Sequence, residues 1–258
     1  MSLGRRKVGL DDPTRWVFNR MADVYDARPP YPAALIDALA ALAGPGARGG
    51  DLGAGIGHVA LPLAARGLNV VAVEPAQAML DQLRRAARGL PLQALHATAE
   101  TLPLPDASLE LVVVADALHF LDAELCGREI ARVLAPGGAL AVITCQLGQT
   151  PFMRGLLEVI HQAVPRRPRS LRGNIVQVGA ITGVDLGRER HFHDETPVDA
   201  PTLERILRSI SFIGPAMNPA RFAAFRAQVH ALPGPPAWAR EFTLRAGRRP
   251  GRAVRTAR

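Results

Sequence analysis

Asp51-Leu52-Gly53-Ala54-Gly55-Ile56-Gly57-His58 (DLGAGIGH, residues 51–58) decides how this chain is read. A glycine-rich turn between a strand and a helix lets the backbone come close to a ligand and turns free N–H groups toward it. The common dinucleotide fingerprint spaces its glycines GxGxxG; here the third glycine comes one place early. Asp51 stands two places before the first glycine, where a carboxylate opposes a pyrophosphate and suits an ammonium group. Twenty-one residues after Gly53, Glu74 closes the segment NVVAVE (69–74). A carboxylate at that place can accept both hydroxyls of a ribose. The two acids together favour a nucleoside carrying a positively charged amino-acid tail.

Working outward, the flanking segments alternate between the two periodicities of regular structure. Residues 13–43 read as helix, broken at Arg28-Pro29-Pro30-Tyr31-Pro32, where prolines impose extended backbone. Leu35, Ile36, Leu39 and Leu42 then recur at helical spacing, and Gly44-Pro45-Gly46 ends that helix. Gly46–Leu52 reads as a first strand, glycine-rich and therefore either weak or tightly packed. Pro62 falls inside the helix expected after the loop, so that helix should kink or start late. Asn69–Glu74 is a strand, and Ala76–Arg88 a helix with Met79, Leu80 and Leu83 on one face. Leu109–Ala115 (LELVVVA) is a strand of the fully buried kind. Asp122 caps a helix reaching Leu134, and Gly137-Gly138 leads into a strand over Ala139–Thr144. Strands alternating with helices predict an α/β fold with a doubly wound, mostly parallel sheet. After Gln146 the rhythm loosens. Helices are expected over 151–163, 199–210 and Asn218–Ala231, strands over Gly187–Glu195 and Glu241–Arg245, and a break over Pro165–Arg172. There is no internal repeat. One domain is expected over 13–245, with residues 1–12 a flexible N-terminus and 246–258 a basic disordered tail.

At this point the chain resembles the class I S-adenosylmethionine-dependent methyltransferases, in their UbiE-like, type 11 branch. DLGAGIG resembles the first motif of that family and VAVEPAQAML the second. ATAETLPLPDASLELVVVADALHF is similar to the next two, and REIARVLAPGGALAVI to the fifth-strand motif. The N-terminal FNRMADVYDARPPYP resembles a lid segment, and LRSIS (207–211) a segment common in the branch. Five motifs in order, over roughly residues 16–245, are a far more specific signal than one glycine loop. The resemblance implies a Rossmann-like sheet of seven strands, the last antiparallel, with S-adenosyl-L-methionine as cofactor. It implies cofactor contacts at Asp51, Gly53, Ala54, Gly55, Glu74, Pro75, Met79, Ala99, Glu100 and Ala115. Glu74 would hold the ribose, Met79 would lie near the adenine, Ala99 and Glu100 would edge it, and Ala115 would lie under the methionine part. Asp51 would support the amino group through the loop. Tyr25, Arg28 and Tyr31 belong to the lid, either over the cofactor and acceptor or simply packed. The acceptor would lie between the lid and segment 146–185. Glu110 stands where the family usually has Asp.

Composition limits the function classes. Of 258 residues, 48% are hydrophobic and 21% charged, a globular balance. No apolar run approaches the roughly 18 residues of a membrane span, and no apolar core follows the basic start as a secretory signal requires. Two cysteines exclude a disulfide scaffold and a four-cysteine zinc site, so a reduced cytoplasmic setting is expected. The net charge of +8 sits at the ends: residues 1–7 contribute three and residues 240–258 six, leaving the body near −1. Lys7 is the only lysine beside thirty arginines. No nucleic-acid partner is expected from such a body, and the acceptor is read as a small molecule. An RNA or tRNA methyltransferase, a non-catalytic S-adenosylmethionine-binding protein and a nicotinamide-dependent reductase are the rivals. The reductase is opposed by the glycine spacing and by Asp51.

Direct methyl transfer needs in-line approach and a dry pocket more than a catalytic triad. His119, after the fourth strand, is the candidate base, or it lines the pocket or caps the next helix. His191 and His193 share a strand face, compatible with a metal or with a half-exposed surface; no metal is expected. His58 reads as a helix N-terminal residue beside the cofactor. Cys126 and Cys145 read as buried thiols, and Arg166-Arg167-Pro168-Arg169 as a solvated loop or an attractor for an acidic acceptor.

Overall fold

The computed structural model describes residues 16–165 and 171–251. The expected flexible N-terminus, the arginine cluster at 166–169 and residues 252–258 of the expected tail lie outside them. Along the chain come α1 (Trp16–Asn19), α2 (Ala22–Tyr25), α3 (Ala33–Ala43), β1 (Arg48–Leu52), α4 (Ala60–Ala65) and β2 (Asn69–Val73). Next are α5 (Gln77–Ala86), β3 (Leu92–Leu95), β4 (Leu109–Ala115), a short 3-10 turn (Leu118–Phe120), α6 (Ala123–Val133) and β5 (Leu134–Leu147). Then follow α7 (Pro151–Ala163), α8 (Arg172–Thr182), β6 (Glu189–Pro197), α9 (Ala200–Arg208), α10 (Pro219–His230) and β7 (Ala237–Arg248).

The strands form one seven-stranded sheet in the order β3-β2-β1-β4-β5-β7-β6. Strands β1 to β5 pair in parallel, and β7 runs antiparallel to both β5 and β6. The order reverses between β1 and β4, and ligands of open α/β sheets bind outside the strand ends at such a reversal. Alternate strand residues feed two cores. Val71, Val73, Val112, Val114, Leu140 and Val142 pack against α6 and α8 on one face. Val70, Ala72, Leu111, Val113, Ala141 and Ile143 pack against α3, α4 and α5 on the other. A third core joins α7, α9 and α10 around Phe152, Leu156, Ile206, Phe222 and Trp238.

The glycine-rich first strand is tightly packed. A Cβ on Gly50 would lie 2.7 Å from Leu109 Cδ1, so a larger residue there would displace the buried Leu109 side chain. Helix α4 starts late, which leaves Pro62 in its first turn, where a missing N–H costs little. Asp122 caps α6 by accepting from the Glu124 and Leu125 N–H groups, each at 3.0 Å. Several boundaries differ from the expectation. Strands β5 and β7 are much longer than Ala139–Thr144 and Glu241–Arg245, because each satisfies the other over nine residue pairs, Ala139 with Arg248 through Leu147 with Arg240. Ala246–Arg248 therefore belong to the sheet, which corrects the boundary of the expected tail. Helix α8 replaces part of a stretch read as irregular. It buries Ile175, Val178 and Thr182 and ends at Gly183 with φ +70°.

Candidate functional site

The carboxyl ends of β1, β2 and β4 surround a cavity of about 340 Å³. Its floor is the glycine turn. Gly53 and Gly55 have φ of +76° and +57°, and a Cβ on Gly53 would lie 2.8 Å from Ala117 Cβ. Both the backbone conformation and the close approach require glycine at Gly53. Glu74 shapes the turn from β2: its carboxylate accepts from the Gly55 N–H at 2.8 Å and the Ala76 N–H at 2.7 Å. Asp51 is 2% exposed at the end of β1, and its Oδ2 is buried without a hydrogen-bond partner among the described residues. Burial raises its pKa to about 7; the Ala60 N–H opposes the rise and the Glu74 charge adds to it.

Residues 16–31 form the roof. Arg28 donates from Nε to Ser209 Oγ at 2.8 Å and from Nη2 to the Ser209 carbonyl at 2.7 Å. Its guanidinium also lies over the Tyr25 ring, 4.3 Å from the centroid, and Nη1 donates to Tyr25 Oη at 3.2 Å. Tyr25 in turn stacks on His58 at 5.8 Å. Burial, with Arg28 and Arg240 nearby, lowers the His58 pKa to about 4, so the ring is neutral at pH 7. Burial raises the pKa of both Tyr25 and Tyr31. Arg240, on β7 and 7% exposed, donates to the Pro29 and Pro30 carbonyls at 2.8 and 2.6 Å and pairs with Asp194.

Beyond the cavity a wider groove of about 1490 Å³ opens between α7, α8 and the edge strands. Leu157, Ile160, Leu171, Ile175, Val184 and Leu186 form its apolar part, and Glu158, His161, Arg172, Asp185, Glu189 and Arg245 its charged part. Asp116, His119, Phe120, Cys145 and Gln146 line both spaces and mark where they join.

Nine of the ten residues marked for the cofactor line the inner cavity, as do Tyr25, Arg28 and Tyr31. Glu100 is the exception. It is buried away from that lining, and its Oε1 accepts from the Asp122 N–H at 3.1 Å at the start of α6. His119 sits in the 3-10 turn, its ring centroid 3.9 Å from that of Phe120. Cys126 is buried, but Cys145 is only partly so and lines both spaces, with burial pushing its thiol up to about 12. His191 and His193 lie on the exposed face of β6, and no three His, Cys, Asp or Glu residues among the described ones cluster as a metal site does. No helix among the described residues is long and apolar enough to cross a membrane. Sequence reasoning missed Asp116, Ser209 and Arg240. Asp116 offered one signal, a carboxylate directly after a buried strand; Arg240 offered none.

Residues 50–142 match the family described as "Methyltransferase domain". An uncharacterized methyltransferase of Mycobacterium tuberculosis is 43% identical over 145 residues, 55% of each chain. The demethylmenaquinone methyltransferase of Thermus thermophilus is 43% identical over 98 residues, 36% of this chain and 44% of that one. The chain thus spans about half the length of the curated relatives it matches. In fold it is similar to the geranyl diphosphate C-methyltransferase of Streptomyces coelicolor, solved with Mg2+, geranyl diphosphate and S-adenosyl-L-homocysteine. The TM-score is 0.57 at 15% identity, covering 95% of this chain and 100% of that one. Residues 50–142 are thus similar to the methyltransferase-domain family, and the seven-stranded sheet has the fold of methyltransferases of known structure.

Proposed function

We propose that the protein transfers a methyl group from S-adenosyl-L-methionine to a small-molecule acceptor. The observation that carries this reading is the pair of buried carboxylates, Asp51 and Glu74, on either side of the glycine turn. The Asp51 Oδ2, without a partner among the described residues, fits an ammonium group, and the Glu74 carboxylate on the cavity wall fits ribose hydroxyls. Pro75, Met79 and Ala99 supply an apolar wall for a purine, and Arg28 a cation for a carboxylate. When bound, S-adenosylmethionine supplies a methyl made electrophilic by its sulfonium. The chain's part is to orient the acceptor and exclude water. The lid does the second by closing over the cavity through Tyr25 and Tyr31. His119 borders the acceptor side, where it can position the acceptor or assist as a base. A body charge near −1 favours a small molecule over RNA.

Calorimetric titration with S-adenosylhomocysteine tests the reading. Micromolar binding is expected, weakened at least tenfold in Glu74→Ala and unaffected by NADH. Folded wild-type protein that does not bind, or binding that NADH displaces, would refute it.

A further inference from the structure

The inner cavity and the outer groove meet at a half-buried carboxylate. Asp116 is the first residue past β4 and has φ +47°, in the left-handed region. Non-glycine residues there are uncommon and persist where their surroundings over-determine them, often at functional positions. A bond to β5 does so here: the Asp116 N–H donates to the Ile143 carbonyl at 2.9 Å. The side chain stands on the wall of both spaces. Burial raises its pKa to about 6, against the pull of Arg28 and the Cys145 N–H. Arg28, Tyr25 and Tyr31 face this region from the lid, His119 from the turn after β4, Cys145 from β5 and Arg240 from β7. Among the residues at the junction itself, Asp116 is the one carboxylate.

We propose that Asp116 accepts the proton of a hydroxyl-bearing acceptor whose apolar body lies in the outer groove. The inference rests on the methyl-transfer reading above. A neutral amine already has a free lone pair and needs no base before it attacks. A hydroxyl must lose its proton as the new bond forms, or the product is left as an oxonium ion. In the balanced step the hydroxyl oxygen bonds to the methyl carbon and its proton passes to the Asp116 carboxylate. The methyl–sulfur bond breaks with its electron pair left on sulfur, giving a methyl ether and a neutral thioether. Water at the groove mouth then takes the proton from Asp116. The apolar part of the groove, from Leu157 and Ile160 on α7 to Ile175 on α8 and Leu186, receives the apolar body, beside the charged part at Glu158, Arg172 and Glu189.

The test uses 4-nitrophenol, whose colour reports whether its hydroxyl is ionised, with 2-hexyl-4-nitrophenol and S-adenosylhomocysteine-saturated protein. Wild type, Asp116→Asn and His119→Gln are compared. Asparagine tolerates left-handed backbone, so the Asp116→Asn protein is expected to fold. Its affinity for S-adenosylhomocysteine should stay within threefold of wild type. Full phenolate colour of the bound probe should need a pH at least one unit higher in wild type than in Asp116→Asn, because a phenolate and a carboxylate in contact resist sharing two charges. The hexyl probe should bind at least tenfold tighter than 4-nitrophenol. The proposal is overturned if neither phenol binds protein that is loaded with S-adenosylhomocysteine. It is also overturned if the colour shift is absent or follows His119→Gln, if the hexyl chain adds no affinity, or if Asp116→Asn loses S-adenosylhomocysteine tenfold. The last result would move Asp116 to the cofactor side. Wild-type protein that fails to bind S-adenosylhomocysteine at all would instead sink the methyl-transfer reading itself.

Discussion

Asp51 is a carboxylate whose burial the described residues do not fully compensate, since one of its oxygens has no partner among them. Its folded pKa of about 7 lies above the ordinary 3.8, so the folded state holds this proton more tightly than the unfolded one. The stability that this gives is complete below the unfolded value and is lost as pH rises through about 7. Asp51→Asn removes that loss. The free protein with asparagine should therefore gain on wild type in thermal midpoint from pH 4 to pH 7 and level off above. Affinity for S-adenosylhomocysteine should rise with pH across the same range in wild type and stay flat in the mutant. Parallel wild-type and mutant curves would contradict both expectations. Asp51 and Glu74 were legible because their meaning lies in spacing along a few residues. Asp116 was not, because in ADALHF the imidazole of His119 drew the reading while the backbone twist at Asp116 left no mark in the sequence. Arg28 could be assigned to the roof but not to Ser209, its partner 181 residues away.

Helices and strands with strong periodicity, such as α5, β4, α6 and α7, fell where their apolar spacing put them. Those that failed did so for tertiary reasons. Helix α8 carries Gly173 and Gly179 and exposes Val176, so its apolar stripe is too thin to read; packing of Ile175 and Val178 holds it. Strand β3 is four residues long and gains its identity from pairing with β2. Strand β7 extends because β5 and β6 supply partners on both sides. In β1, glycine is a packing requirement. Gly50→Ala should destabilise by about 1–3 kcal/mol through overpacking against Leu109, read as a lower urea midpoint. The paired change Gly50→Ala with Leu109→Ala should recover part of it, because the atoms that meet are then gone.

For the whole molecule, the parallel sheet and the location of the cavity at its strand-order reversal follow from alternating strand and helix signals. The third core and the attachment of the roof do not, since both join residues far apart in the chain. Arg240 is the main tie, with two carbonyls of the roof and Asp194 on one guanidinium. Arg240→Ala should cost on the order of 3 kcal/mol, because it leaves Asp194 without its cation in a largely buried place. It should also weaken S-adenosylhomocysteine binding, measured by calorimetry on the same preparation; unchanged affinity would mean the roof closes without this tie. The roof's partners Ser209, Arg240 and Phe242 have a further consequence for the chain as it is made. Residues 16–31 are made well before these partners: α1 and α2 can pack on α5 at once, whereas the Arg28–Tyr31 side must wait for α9 and β7. A nascent chain therefore assembles β1 to β5 around a pocket covered from one side, and the Arg28–Tyr31 side of its cover is pinned only when synthesis has passed residue 242.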